Sequence, residues 1–137
     1  MKRSIALIAL LGLVGCAITS RDATTELPGT SWTLAELDGA EPVGEMAPSI
    51  EFTEEGGVTG STGCNTFNGE VTIDGSELAF GPLATTRMAC VDPAATEQEQ
   101  AYLVALETVT SYTIDSEGRL VLEGNVPLTF EVAAAAE

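Results

Sequence analysis

Between residues 30 and 132 the chain repeats one pattern: a short run of alternating apolar and polar residues, then a tight turn. Alternation of period two sends successive side chains to opposite faces of a strand, so each run can bury one face and wet the other. Trp32 and Leu34, with Leu37, mark a first strand closed by Asp38-Gly39, and Ile50 and Phe52 mark a second closed by Glu54-Glu55-Gly56-Gly57. Val58 to Thr62 leads to a Gly63-Cys64-Asn65 corner, Phe67, Val71 and Ile73 lead to Asp74-Gly75, and Leu78 and Phe80 begin another strand. Three more runs follow late in the chain: Val109 to Ile114, Arg119 to Glu123 and Leu128 to Val132. Near-regular strands with tight turns predict an antiparallel meander curled into a sandwich or barrel. One segment breaks the pattern. Asp92-Pro93 offers an N-cap followed by Pro at the first helical position, and Glu97 and Glu99 suit the positive end of a helix dipole. Tyr102, Leu103, Leu106 and Val109 then share one helical face. The fold class is therefore mainly β (α+β), with one helix near 94–108 covering the sheet or plugging one end of it.

The N-terminus reads as an address. Lys2 and Arg3 precede an unbroken apolar run from Ile5 to Ile18, shorter than the roughly 20 residues that a membrane helix requires and patterned as a secretory signal. Its end, Leu13-Val14-Gly15-Cys16, resembles a bacterial lipobox. That resemblance implies cleavage before Cys16 and lipidation of its thiol with palmitate-like chains; a plain secretory signal with an incidental Cys, or an uncleaved anchor, is the alternative. Ala17 is not the Asp that, by resemblance to enterobacterial sorting rules, would hold the protein at the inner membrane, so the outer membrane facing the periplasm is expected. The organisation that follows is a signal peptide over 1–15, a lipidated tether over 16–27, a domain over 28–132 and a disordered tail over 133–137.

Charge narrows the partners. Five Lys plus Arg stand against 21 Asp plus Glu, a net charge of −16. Beyond residue 15 only Arg21, Arg87 and Arg119 oppose all 21 acids, hence −18, and no lysine remains. Nucleic acid and anionic membrane surfaces both demand a basic face, so neither is expected as a partner. Such an acidic surface fits a saline habitat, where salt screens its self-repulsion, and this reading is favoured over the alternative, a quirk of base composition. The chain has no His, which removes Ser/His/Asp and Cys/His triads and any His-held metal.

Three motifs occur in order: Gly29-Thr30-Ser31-Trp32-Thr33-Leu34, Gly63-Cys64-Asn65-Thr66-Phe67-Asn68-Gly69, and Thr86-Arg87-Met88-Ala89-Cys90. Together they resemble the META domain family of HslJ-like envelope proteins, over about residues 27–132. The resemblance implies a small antiparallel β-barrel-like domain with one helix, and an association with bacterial stress responses and the outer membrane. It carries over no catalytic residue.

With Cys16 committed to lipid, Cys64 and Cys90 form an even pair in an oxidising compartment and are expected to join in a disulfide. A redox-active or metal-binding pair lacks C-x-x-C spacing, a third soft ligand and a His or Lys to depress a thiol pKa. Asn65 and Arg87 make a candidate recognition corner. The blander readings are that Asn65 bonds a tight turn through its own amide and that Arg87 pairs with a carboxylate. Trp32 is assigned to the core. Glu54-Glu55, Asp74 and Asp115-Ser116-Glu117 could offer oxygen ligands to calcium, but no calcium-loop spacing holds them, and no two carboxylates stand out as a glycosidase pair. No metal, cofactor or enzymatic activity is expected. The function expected is a non-enzymatic, lipid-anchored envelope module of interaction or envelope stress, which binds an unknown envelope protein or supports envelope integrity. The alternative is a lipocalin-like carrier of a small apolar ligand. Trp32, Phe52, Phe67, Phe80, Phe130, Leu103 and Leu106 are bulky enough to fill a small interior, which favours the first.

Overall fold

Nine runs take up the strand conformation in the computed structural model, which describes residues 26–134. The expectations for 1–25, Cys16 included, and for 135–137 lie outside that range. The strands are β1 (Thr30–Leu37), β2 (Ser49–Phe52), β3 (Gly57–Ser61), β4 (Thr66–Asp74), β5 (Glu77–Phe80), β6 (Ala84–Thr85), β7 (Ser111–Ile114), β8 (Leu120–Glu123) and β9 (Leu128–Val132). Helix α1 (Pro93–Glu107) lies between β6 and β7. Every pairing is antiparallel.

The sheet order is β3-β2-β1-β9-β8-β7-β5-β4-β6, and β3 also pairs with β4. The sheet thereby closes on itself as a ring, with β6 laid beside the first half of β4. Closure satisfies strand edges that would otherwise stand open. The seam between β5 and β7 is the thinnest, with Glu77 opposite Ser111. Between Leu34 and Glu36 the register of β1 on β9 slips by one residue. Such a bulge bends a strand and increases its twist, which curls the sheet.

Inward positions follow the alternation read from the sequence. Trp32, Leu34, Ile50, Phe52, Val58, Phe67, Leu78, Tyr112, Leu120, Leu122, Leu128 and Phe130 are buried, while Phe80 and Leu103 pack half-buried against them. Gly60 stands opposite Phe67 across β3–β4. A Cβ there would meet the Phe67 ring and the Ser49 carbonyl oxygen, so the aromatic ring occupies the space that a side chain at 60 would need. Leu27, read as the end of the tether, is instead core: its side chain is buried and its carbonyl accepts from Thr30 N–H and hydroxyl.

The helix begins as its sequence dictates. The Asp92 side chain accepts from Ala94 N–H at 2.9 Å, and Pro93 follows in the first turn. Tyr102, Ala105 and Leu106 are buried, with Gln98 joining them. The Tyr102 ring lies 5.9 Å from Phe67 of β4 and 6.3 Å from Phe130 of β9, centroid to centroid. Its hydroxyl donates to the Ser49 carbonyl at 3.1 Å. The helix therefore places one aromatic ring between strands from separate parts of the sheet, and burial pushes the Tyr102 pKa up so that it stays neutral. Val109, expected in the next strand, instead lies in the turn after the helix.

Candidate functional site

Three loops meet at the N-terminal end of α1: residues 43–46 between β1 and β2, the corner 62–65 between β3 and β4, and 86–92 between β6 and α1. Each is fastened by a different device. Gly63 sits at φ +89°, where side chains are strained, and a Cβ on it would meet the Met46 carbonyl oxygen at 2.7 Å. Only glycine lets the first two loops approach this closely. Gln98, on the first turns of α1, then takes hold of the 43–46 loop through one backbone residue. Val43 N–H donates to Gln98 Oε1 at 2.6 Å, and Gln98 Nε2 donates back to the Val43 carbonyl at 3.1 Å.

The corner is joined to the third loop by a disulfide between Cys64 and Cys90, 26 residues apart, with Cα atoms 5.7 Å apart. Asn65 adds a second fastening. Its Oδ1 accepts from Met88 N–H at 2.7 Å and from the Thr86 hydroxyl at 3.0 Å, and its Nδ2 donates to the Met88 carbonyl at 3.0 Å and to Glu99 Oε2 at 2.8 Å. The Thr62 hydroxyl donates to the same carboxylate at 2.5 Å and accepts from Asn65 N–H at 2.8 Å. Glu99 of the helix thus ties the corner to α1 by accepting charge-assisted hydrogen bonds from both Thr62 and Asn65.

These contacts correct the expected recognition corner. Asn65 is 1% exposed and its amide is committed to the 86–88 loop and Glu99, which leaves it nothing to offer a ligand. Arg87 is exposed on that loop and, among the described residues, makes no salt bridge and no hydrogen bond to Asn65. The ion pairing expected of it belongs to Arg119 instead, which holds Asp115 at 2.8 Å and Glu117 at 3.0 Å.

The acids weighed as calcium ligands likewise have local work. The Asp115 carboxylate caps its own turn, accepting from Glu117 N–H, Arg119 N–H and Arg119 Nε. These donors, the Arg119 backbone N–H first among them, hold its pKa below the ordinary value. Ligand atoms of Cys64, Cys90 and Glu99 lie within 4.8 Å of one another. With the two sulfurs bonded to each other there is no thiolate for a metal to take, so the trio is a covalent staple beside a hydrogen-bonded carboxylate.

Between the three loops lies an open groove of about 580 Å³. Its walls carry Val43, Met46, Met88 and Val91, which are 44, 65, 65 and 103% exposed, together with the disulfide. Four of the six large hydrophobic side chains exposed among the described residues therefore gather at one place. Sequence reasoning missed this groove, because the four residues sit in loops without periodicity.

The family model for the META domain matches residues 25–135. The chain is 28% identical over 137 residues, 97% of each sequence, to "Heat shock protein HslJ" of Escherichia coli (strain K12). It superposes with a TM-score of 0.64 on a Burkholderia xenovorans protein solved by NMR, at 26% identity over 80% of this chain and 85% of that one. A second protein solved by NMR gives a TM-score of 0.63 at 28% identity, over 77% of this chain and 91% of that one.

Proposed function

Because this chain belongs to the META domain family, with a heat-shock relative spanning nearly its whole length, we propose that it is a lipid-anchored, non-enzymatic protein of the bacterial envelope. It acts in envelope stress by holding a partner protein in the groove at the disulfide end, with Cys16 fixing it to the outer membrane on the periplasmic side.

The observation that carries this reading is the gathering of exposed Val43, Met46, Met88 and Val91 on loops fastened by a disulfide and by Asn65, Gln98 and Glu99. Exposed apolar side chains concentrated in one patch favour association, and a rigid mounting lowers the ordering cost of binding. The groups with displaced pKa values support a non-catalytic role. Tyr102 and Tyr112 are buried in the core, which raises the pKa of both, and Asp115 and Arg119 pair in a turn remote in sequence from the groove. The carrier alternative loses support to Tyr102, Phe52 and Phe130, whose buried rings occupy the interior that a small ligand would need.

Two measurements on the full chain in a bacterial host test the reading. Cys16→Ser should move the protein out of the membrane fraction or leave the precursor uncleaved; processed, membrane-bound Cys16→Ser protein would refute the lipid anchor. A photo-crosslinking residue at Met46 should give a discrete adduct in intact cells, whereas one at Val104, an exposed helix position outside the groove, should not. Equal labelling from both positions would refute the groove as the binding surface.

A further inference from the structure

The walls of the groove are apolar, but its surroundings are acidic. Glu45 and Asp92 stand among the lining residues. An adjoining depression shares Gly44 with the groove and carries Glu41 and Glu131. Arg87, beside Met88, is the single base in the three loops. Across the described residues 2 arginines face 19 acids. Apolar walls inside a negative field select against most occupants. A second copy of this chain would bring the same dense negative charge to the contact, and an anionic lipid surface would be repelled in the same way. A neutral apolar segment would leave the rim acids without partners. The complementary occupant is apolar on one side and positively charged on the other. Methionine suits the apolar half, since its unbranched, polarizable side chain adapts to differing apolar shapes.

Resting on the reading of the groove as a binding surface, we propose that it takes a cationic amphipathic segment of a partner protein. Leucine-like side chains of that segment pack on Val43, Met46, Met88 and Val91, and its Lys or Arg side chains meet Glu45, Asp92 and the acids of the neighbouring depression. The segment supplies the positive charge that this chain lacks. Arg87 opposes it, so the charge contribution is tuned from this side by a single residue.

The test uses the full chain in zwitterionic nanodiscs, with empty nanodiscs subtracted. The probes are fluorescein-labelled peptides of about four helical turns: one amphipathic in Lys and Leu, one with Glu replacing Lys, and one with Ser replacing Leu. The Lys/Leu peptide should bind best at moderate salt. The pair Met46→Ser with Met88→Ser, which removes apolar contact without changing charge, should weaken it about tenfold or more. Val104→Ser with Val132→Ser, exposed apolar positions away from the groove, should leave it unchanged. Arg87→Glu should tighten it several-fold, and matching thermal melts establish that each variant is folded. If the Lys/Leu peptide binds equally well after the methionine substitutions, it is reading overall charge and the proposal fails. If the Glu/Leu peptide binds as well as the Lys/Leu one and loses affinity with the same substitutions, the groove is a binding site but its partner is not cationic. That outcome overturns this inference while leaving the functional reading in place. Failure of every peptide to respond to the groove substitutions, or self-association that those substitutions abolish, counts against both.

Discussion

Asn65 and Asp115 are both polar residues at turns, and both direct their side chains at backbone rather than at ligands. Asn65 is the more demanding, since five atoms from two segments, the 86–88 loop and α1, depend on its amide. An unpaired buried donor or acceptor costs about 1–3 kcal/mol, which is why a small polar side chain can sit 1% exposed in a largely apolar core. Asp115 serves a surface turn, and its contribution depends on pH with a definite sign. Its carboxyl titrates below the ordinary value of 3.8 because Arg119 and Glu117 donate to its charged form. A group with a depressed folded pKa stabilises the fold fully above its unfolded value and stops doing so as pH falls through the folded one. Asp115→Asn should therefore lower the melting temperature at neutral pH, and the two proteins should converge as pH falls below the ordinary carboxyl value and through the lowered folded one. Calorimetry across that range checks it, and a difference that persists unchanged in acid would exclude ionisation as the cause. The sequence marked Asp115 as a turn residue but not as the partner of Arg119, because any of 21 acids could have taken that place.

The elements divide into those legible in the sequence and those that only tertiary contacts create. Strands β1–β5 and β7–β9 were readable because period-two alternation survives in the core positions, and α1 was readable from Asp92-Pro93 and the Tyr102 to Leu106 face. Strand β6 was not, since Ala84–Thr85 is too short to show any period and lies against β4 at Phe67 and Asn68. Gln98 was missed for a different reason. A polar residue on a helix reads as solvent-facing, and its partner is the backbone of Val43, 55 residues away in sequence. The loop between β6 and α1 depends on distant contacts of the same kind, and its covalent one can be removed. The Cys64–Cys90 bond closes a loop of 26 residues, worth about 3–4 kcal/mol in the chain-entropy account, against a total of roughly 5–15 kcal/mol for a small domain. The double substitution Cys64→Ser with Cys90→Ser should lower the melting temperature by well over ten degrees. Thiol counting on the denatured, unreduced protein lacking Cys16 should find no free thiol, and two free thiols would refute the bond.

Taken whole, the molecule is a ring of strands carrying far more acid than base. Its charges repel one another, and added salt shortens their reach from about 10 Å at 0.1 M to about 3 Å at 1 M. The melting temperature should therefore rise from dilute buffer to molar NaCl, and a flat or falling curve would rule out self-repulsion as a significant load on the fold. The ring has a further consequence through the pairing of β1 with β9, where Trp32 stands opposite Val132 and Leu34 opposite Phe130. These partners lie about a hundred residues apart, so the contact that seals the first strand must wait for the last one to be synthesised. Long-range pairings of this kind incur their entropic cost early and are rewarded late. Until Phe130 has left the ribosome, Leu34 has no lid and the sheet has no seal. A polypeptide built this way stays slack while it is being made, and it locks only when its last strand arrives to close the ring.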